Sequence, residues 1–205
     1  MVGEMISIYE RMHNAIISFG DLSEVIVIGV NDATYSANWR LPQTDATVLK
    51  LDALALPGRE INRALVHVHA GILTFFEVDT SEAPPADWIR GISSLRPELN
   101  AQNLRSGSHM DREFIATHIV QHPRSLTPVS SIGTKGVPKF FIMDIEGMDN
   151  DVTLSLFVNR DVVGIGCEHS LLSSKEVVLL RCAAVENGFD FEFGEEDAIF
   201  LRQMS

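Results

Sequence analysis

The sequence predicts an α/β fold in which a mostly parallel sheet carries helices on both faces. Two observations support this. Several short runs are almost continuously apolar, as are strands that are buried on both faces of a parallel sheet, and each ends in or directly precedes a glycine or an acidic residue. Segments with apolar residues at helical spacing alternate with these runs. Such alternation indicates crossover helices between parallel strands. The clearest of the apolar runs are residues 24–29, 139–144 and 162–167.

The composition suits a single domain that spans residues 1–205, and it argues against several classes of partner. The formal net charge is −12, with 16 Lys and Arg against 28 Asp and Glu. Nucleic-acid binders depend on Lys and Arg contacts to phosphate, so we expect no nucleic-acid partner, and for the same reason no anionic membrane surface. The first residues lack a secretory signal pattern. We therefore expect a cytoplasmic protein.

The first half of the chain begins with a predicted helix within residues 1–20, which Gly20 ends. Two strands follow, at residues 24–29 and 45–52. Residues 63–69 and 72–78 resemble two further strands that turn at Ala70-Gly71. The apolar residues of the helix recur at helical spacing: Met5, Ile8, Met12 and Ile16.

Residues 80–113 are polar and contain prolines, which predicts a loop or lid, because long irregular segments in compact domains are often functional. The second half of the chain shows clearer elements. Its apolar runs and helical patterns predict two buried strands, two helices and a C-terminal antiparallel hairpin, which complete a Rossmann-like sheet. These elements are predicted at residues 139–144, 148–158, 162–167, 173–186, 189–193 and 198–202.

The two cysteines, Cys167 and Cys182, are too few for a disulfide framework or a zinc cluster. Cys167 belongs to an apolar strand and Cys182 to a helical pattern. We expect both to be buried free thiols in a reducing compartment.

The residues directly after strands are the functional candidates, because open α/β sheets bind ligands at the carboxyl ends of their strands. After the first strand, Gly29 allows a sharp turn, and Asn31 and Asp32 can face a ligand or cap the next helix. Asp52 ends the second strand, 23 positions after Gly29. A carboxylate about 20 residues beyond such a turn is placed to bind ribose hydroxyls, although a solvated loop acid is the alternative.

Two more candidate groups follow later strands. Asp144 and Glu146 lie at i and i+2 beside a glycine, where they can hold a metal, accept a proton or orient a hydroxyl. The alternative is a pair of acids that stabilises a helix start. Glu168 and His169 follow the next strand, and His169 is either a general base or a surface histidine.

In their order along the chain, these pieces resemble the FkbM family of S-adenosylmethionine-dependent methyltransferases. The resemblance covers about residues 24–202, and Asp144-Ile145-Glu146-Gly147 is its most specific part. The matching segments are 27–32, 62–65, 71–76, 88–94, 143–147, 167–169, 187–189 and 197–198.

The resemblance implies a class I methyltransferase fold and methyl transfer from S-adenosylmethionine to a hydroxyl of a small molecule or a sugar. It implies cofactor contacts from Gly29, Asn31 and Asp32, with Asp52 on the ribose. It also implies catalytic roles for three residues that face the acceptor or the cofactor amine or act as a base: Asp144, Glu146 and His169. An acidic site suits a cationic sulfonium.

The sequence departs from the family pattern at two places. Ala33 replaces the last glycine of the first motif, and only about ten residues, 53–62, occupy a region where the family places a helix. Pro57 and Gly58 weaken any helix there.

Two alternatives therefore stay open. One is a methyltransferase-like scaffold that binds a partner or a glycan without turnover. The other is a metal-dependent hydrolase that uses Asp144, Glu146 and Asp149, although the sequence shows no clear set of metal ligands.

Overall fold

The computed structural model describes residues 7–29, 45–53, 61–86, 89, 93–94, 108–145, 149–170 and 172–203. The helices in these ranges are α1 (Ile8–Phe19), α2 (His109–His118), α3 (Asp149–Phe157) and α4 (Ser174–Glu186), with short 3-10 turns at Gly20–Leu22 and Val129–Ser131. The strands are β1 (Glu24–Ile28), β2 (Thr47–Asp52), β3 (Asn62–Arg63), β4 (Leu65–His67), β5 (Gly71–Val78), β6 (Ser93–Ser94), β7 (Ile119–Pro128), β8 (Lys139–Met143), β9 (Val162–Glu168), β10 (Phe189–Phe193) and β11 (Asp197–Arg202).

The main sheet has seven strands in the order β10-β11-β9-β8-β1-β2-β3. All neighbouring strands are parallel except that β11 runs antiparallel to both β9 and β10. The predicted α/β architecture, with a mostly parallel sheet and a C-terminal hairpin, is confirmed. The order of the strands along the chain reverses direction between β1 and β8. At such a switch point the crossover connections leave in opposite directions and open a crevice.

Helices cover both faces of this sheet, as predicted. Alternate residues of a strand face opposite sides, so the apolar run of β1 contributes to two cores. Val25 and Val27 pack in one core with Met12 and Ile16 of α1. On the other face, the core combines residues of β1, β8 and β9 with residues of α3 and α4: Ile26, Ile28, Phe141, Ile165, Val152, Leu156, Leu180 and Ala184.

Local capping explains where α1 begins and ends and where α4 begins. Ser7 and Glu10 form a reciprocal capping box at the start of α1, and Gly20 follows the helix with a φ of 53°. Ser173 and Glu176 form the same box at α4. These contacts satisfy backbone N–H groups that the first turn leaves without partners.

A second sheet has four strands in the order β4-β7-β5-β6. The prediction that residues 63–69 and 72–78 turn directly onto one another is wrong, because β7 lies between β4 and β5 and pairs with both. β7 itself is not among the strands predicted from the sequence. All of its residues except Leu126 are partly buried or exposed, and they include Pro123, so it lacks the apolar run of a central strand. β3 leads into β4 through Ala64, which joins the two sheets.

The loop or lid predicted at residues 80–113 is wrong in part. Residues Ser93–Ser94 pair with β5, and α2 begins at His109. Ser108 caps α2 in a box with Asp111. The remaining predicted lid residues at 87–88, 90–92 and 95–107 lie outside the described ranges.

The two cysteines differ in environment. Cys167 is buried in β9 as predicted, whereas Cys182 is exposed on α4, so that part of the prediction is wrong. The helical pattern around Cys182 is apolar on more than one face, so it did not indicate which face is buried. In the part of the chain that the structure describes, no helix combines the length and apolar character needed to cross a bilayer.

Arg202, at the end of β11, joins the ends of several elements. Its guanidinium donates hydrogen bonds to the carbonyl oxygens of Val162 at 2.8 Å, Asn187 at 3.1 Å, Phe157 at 3.1 Å and Asn159 at 2.9 Å. It also lies over the Phe189 ring, 4.3 Å from the centroid. Carbonyl oxygens at helix ends have no partner inside the helix, so one cation satisfies groups that follow both α3 and α4.

We predict that Arg202→Met lowers the free energy of unfolding by about 3 kcal/mol, because it leaves several part-buried carbonyl oxygens without a donor. Urea denaturation of the full chain measures this. Arg181→Met is the matched control. Arg181 lies 4.5 Å from the Phe193 centroid and is exposed, so its loss should cost less than about 1 kcal/mol. Equal effects of the two changes would contradict the role assigned to Arg202.

Candidate functional site

The carboxyl edge of the main sheet is aligned across five strands. Ile28 of β1 is in register with Leu51 of β2 and with Met143 of β8. Met143 is in register with Cys167 of β9, and Cys167 with Ala198 of β11. All five side chains belong to the core on the α3 and α4 face. The next residue of each strand toward this edge therefore also falls in one row.

This strand-end row consists of Asp52, Gly29, Asp144, Glu168 and Asp197, in that order across the sheet. Asp197 joins it because β11 is antiparallel, which brings the first residue of β11 to the edge where the parallel strands end. Strands lie about 4.8 Å apart, so the row places four carboxylates within roughly 20 Å.

Gly29 is the second residue of the row and lies directly against the main chain of Asp144. Its φ is 82°, and a Cβ atom built there would lie 1.7 Å from the carbonyl oxygen of Asp144. The Gly29 N–H donates to the Leu51 carbonyl at 3.0 Å, and the Asp144 N–H donates to the Ile28 carbonyl at 3.0 Å. Only glycine fits this position, because it accepts a positive φ and has no side chain.

The carboxyl group of Asp144 lies among other acids. Its pKa is raised to about 7, first by loss of surrounding water and then by the charges of Glu168, Asp197 and Asp52. Asp144 is nevertheless an exposed residue at the end of its strand. The raised pKa therefore belongs to a crowded but open position rather than to a sealed interior, and a group with this pKa can exchange protons near neutral pH.

The neighbouring acids extend this acidic environment. Burial raises the pKa of Glu168, and the charge of Asp197 adds to the shift, although a hydrogen bond from Ser170 opposes it. Asp52 and Asp197 are 6% and 8% exposed. The Tyr9 hydroxyl of α1 donates a hydrogen bond to Asp197. No role for Asp197 or Tyr9 is predicted from the sequence, because Asp197 reaches this edge only through the antiparallel insertion of β11, and Tyr9 contacts it from α1.

The structure brings three predicted site residues together in the strand-end row and shows a fourth, His169, directly after Glu168 of that row. Gly29, Asp52 and Asp144 are adjacent in the strand-end row. The His169 side chain packs against the C-terminal hairpin: its ring lies 5.0 Å from the Phe193 centroid, and its Nε2 lies 3.2 Å from the Gly194 carbonyl oxygen. A carbonyl only accepts, so this contact requires the proton on Nε2 and leaves Nδ1 as the basic nitrogen.

Three further predicted site residues, Asn31, Asp32 and Glu146, lie outside the described residues, as does Ala33. Among the residues that are described, no group of three or more His, Cys, Asp or Glu side chains is arranged to hold a metal ion. Asp149, part of the metal-dependent alternative, is buried at the first position of α3.

The chain has no match among protein-family models, curated proteins or solved structures.

We predict that Gly29→Ala disrupts the edge of the sheet far more than Gly136→Ala does. Both glycines have a positive φ, 82° and 79°, but a Cβ at Gly136 meets nothing within 4 Å. Gly136→Ala should therefore show only the backbone strain of about 1–2 kcal/mol. Gly29→Ala should add about 1–3 kcal/mol or more from steric overlap.

Chemical denaturation of both variants against the parent chain measures this difference. If the two substitutions cost the same, the close contact between Gly29 and the Asp144 main chain does not exist in solution.

We predict that Asp144 makes folding less favourable as pH rises. A folded pKa of about 7 lies above the ordinary value of 3.8, so the unfolded state loses its proton first. The contribution of Asp144 to the free energy of unfolding therefore falls between about pH 4 and pH 7 and stays low above that. Asp144→Asn should remove this dependence, so the variant should gain stability relative to the parent as pH rises.

Asp161 provides a control of opposite sign. The Gly136 N–H donates to its carboxylate at 2.8 Å and lowers the pKa of Asp161. The contribution of Asp161 should persist at neutral pH and fade below about pH 4. Denaturation curves from pH 3 to pH 8 compare Asp144→Asn and Asp161→Asn with the parent chain. A stability difference for Asp144→Asn that does not change with pH would contradict the raised pKa of Asp144.

Proposed function

We propose that the chain is an S-adenosylmethionine-dependent O-methyltransferase of the FkbM type, with a class I methyltransferase fold. The observation that carries this proposal is the strand-end row, in which Gly29 lies between Asp52 and Asp144 at the switch point of the main sheet. Ligands of open α/β sheets bind in the crevice outside such a switch point.

The arrangement of strands supports the class of fold. The sheet is parallel from β3 to β9 and ends with an antiparallel β11 and its hairpin partner β10. This is the mostly parallel sheet with an antiparallel C-terminal hairpin expected for a class I methyltransferase. Asp52 ends β2 next to Gly29, where a ribose-binding acid is expected.

The charge of the site favours a cationic ligand over a dinucleotide. A dinucleotide carries a pyrophosphate, which the row would repel because four of its five residues are acidic. S-adenosylmethionine carries a sulfonium and an amine, and nearby carboxylates attract both. The described residues of the row therefore fit this cofactor better than they fit a nicotinamide cofactor.

Asp52 and Asp144 have different roles in this proposal, because they lie on opposite sides of Gly29. Buried Asp52 accepts hydrogen bonds from ribose hydroxyls, and Asp144 lies on the opposite side of Gly29, toward Glu168. S-adenosylmethionine supplies an electrophilic methyl group. The protein has to align the acceptor oxygen with it and take up the hydroxyl proton. Asp144, with a pKa of about 7, is suited to receive that proton on its carboxylate.

The acceptor in this proposal is a hydroxyl group of a small molecule or a carbohydrate. His169 is a second candidate base through Nδ1, since its Nε2 is engaged by Gly194. Glu146 comes two residues after Asp144 in the sequence, so we assign it to the same part of the site as Asp144. Gly29, Asn31 and Asp32 are assigned to the methionine part of the cofactor.

Calorimetric titration with S-adenosylmethionine and S-adenosylhomocysteine, without and with magnesium, tests the proposal. We predict saturable binding, and we predict that Asp52→Asn weakens it by at least about tenfold, since a hydrogen bond to a charged group contributes about 1.5–3 kcal/mol. Asn is preferred to Ala because it preserves the volume of a buried side chain.

Asp190→Asn is the matched control, because it makes the same change of charge near the start of β10. This strand is the outermost one on the side of the sheet away from β2. Asp190→Asn should leave affinity unchanged. Equal affinity of the parent and Asp52→Asn would contradict the assigned ribose contact. Absence of binding by the folded parent would contradict the cofactor itself and favour a binding scaffold.

A further inference from the structure

The α4 helix is apolar on two opposite faces, and only one of them is covered. Leu180 and Ala184 are fully buried in the core under the main sheet. On the other side Val178, Leu179 and Val185 are 58%, 50% and 67% exposed. The outer face of a surface helix is normally polar, and a helix that is apolar all round is normally buried. The outer face of α4 is therefore a candidate contact surface.

The exposed residues form one stripe along the helix. At 100° per residue, Lys175, Leu179, Cys182 and Glu186 fall within a band of roughly 60°, with Val178 and Val185 beside it. We call these six residues the outer stripe. It has an apolar middle, a basic residue at its amino end and an acidic residue at its carboxyl end, and all six are exposed.

We propose that the outer stripe binds the same stripe of a second copy of this chain, with the two α4 helices antiparallel. In that orientation Lys175 faces Glu186 of the partner subunit. The two-fold axis then passes between residues 180 and 181 of each helix, and this also places Leu179 opposite Cys182 of the partner subunit. A single two-fold axis therefore satisfies the charged ends and the apolar middle together, as an isologous interface requires.

The outer stripe is complementary in charge to an inverted copy of itself, which favours a second copy of this chain in the antiparallel orientation. A parallel pair would set Lys175 against its own copy and Glu186 against its own copy, which is repulsive. The antiparallel pair has two attractive contacts by symmetry. One helix face is a small contact area, so we expect a dimer with a dissociation constant that is roughly micromolar or weaker.

Sedimentation velocity of the full chain, over concentrations that bracket this affinity, tests the proposal. We expect reversible dimerisation of the parent. Lys175→Glu alone and Glu186→Lys alone should each weaken it by about tenfold, because each replaces two attractive contacts with two repulsive ones. The double variant Lys175→Glu/Glu186→Lys should restore it.

These substitutions are chosen so that loss of folding does not explain the result. An acid in the first turn of a helix and a base in the last turn both favour the helix dipole, so neither change should destabilise α4. Leu179→Asp should abolish dimerisation, whereas Ile72→Asp, at an exposed position on β5, should not. Thermal unfolding of each variant confirms the fold.

A parent chain that stays monomeric throughout the concentration range would overturn the proposal. So would a dimer that the charge changes do not affect, because its contact would lie elsewhere. Failure of the double variant to recover would refute the antiparallel register.

Discussion

The candidate site depends on the close contact between the end of β1 and the main chain of β8. Gly29 lies so near the Asp144 carbonyl oxygen that any side chain at position 29 would overlap with it. Hydrogen bonds from the Gly29 N–H to Leu51 and from the Asp144 N–H to Ile28 hold the three strand ends level. Because register continues through β9 and β11, this local constraint aligns the strand ends across five strands, and the acids at those ends become neighbours.

That alignment brings like charges together, which has an electrostatic cost. Like charges and loss of water raise the pKa of Asp144 to about 7, and burial raises the pKa of Glu168. The apolar cores on the two faces of the sheet, together with the Arg202 contacts around the ends of α3 and α4, stabilise a fold that tolerates this crowding. A cationic ligand at the edge would relieve the repulsion, and this links the architecture to the proposed cofactor.

The parts of the fold that the sequence predicts are those with short-range signals. β1 and β8 are continuous apolar runs, and Gly20 ends α1, so local pattern suffices for each. β7 escapes prediction because its partly buried residues and its prolines resemble a loop, and its pairing with β4 and β5 is not local. The position of Asp52 follows from spacing after Gly29. The position of Asp197 does not, because it requires knowing that β11 inserts antiparallel beside β9.

Residue-level mapping of cofactor binding tests whether the carboxyl edge of the main sheet is the cofactor site. Amide NMR spectra of the full chain, titrated with S-adenosylhomocysteine, report which strand ends sense the ligand. We expect saturable shifts at Gly29, Asp52 and Asp144, with little change at the opposite ends of the same strands, at Glu24, Thr47 and Lys139. Shifts confined to those opposite ends, or no shifts from a folded chain, would contradict a cofactor site at the carboxyl edge of the sheet.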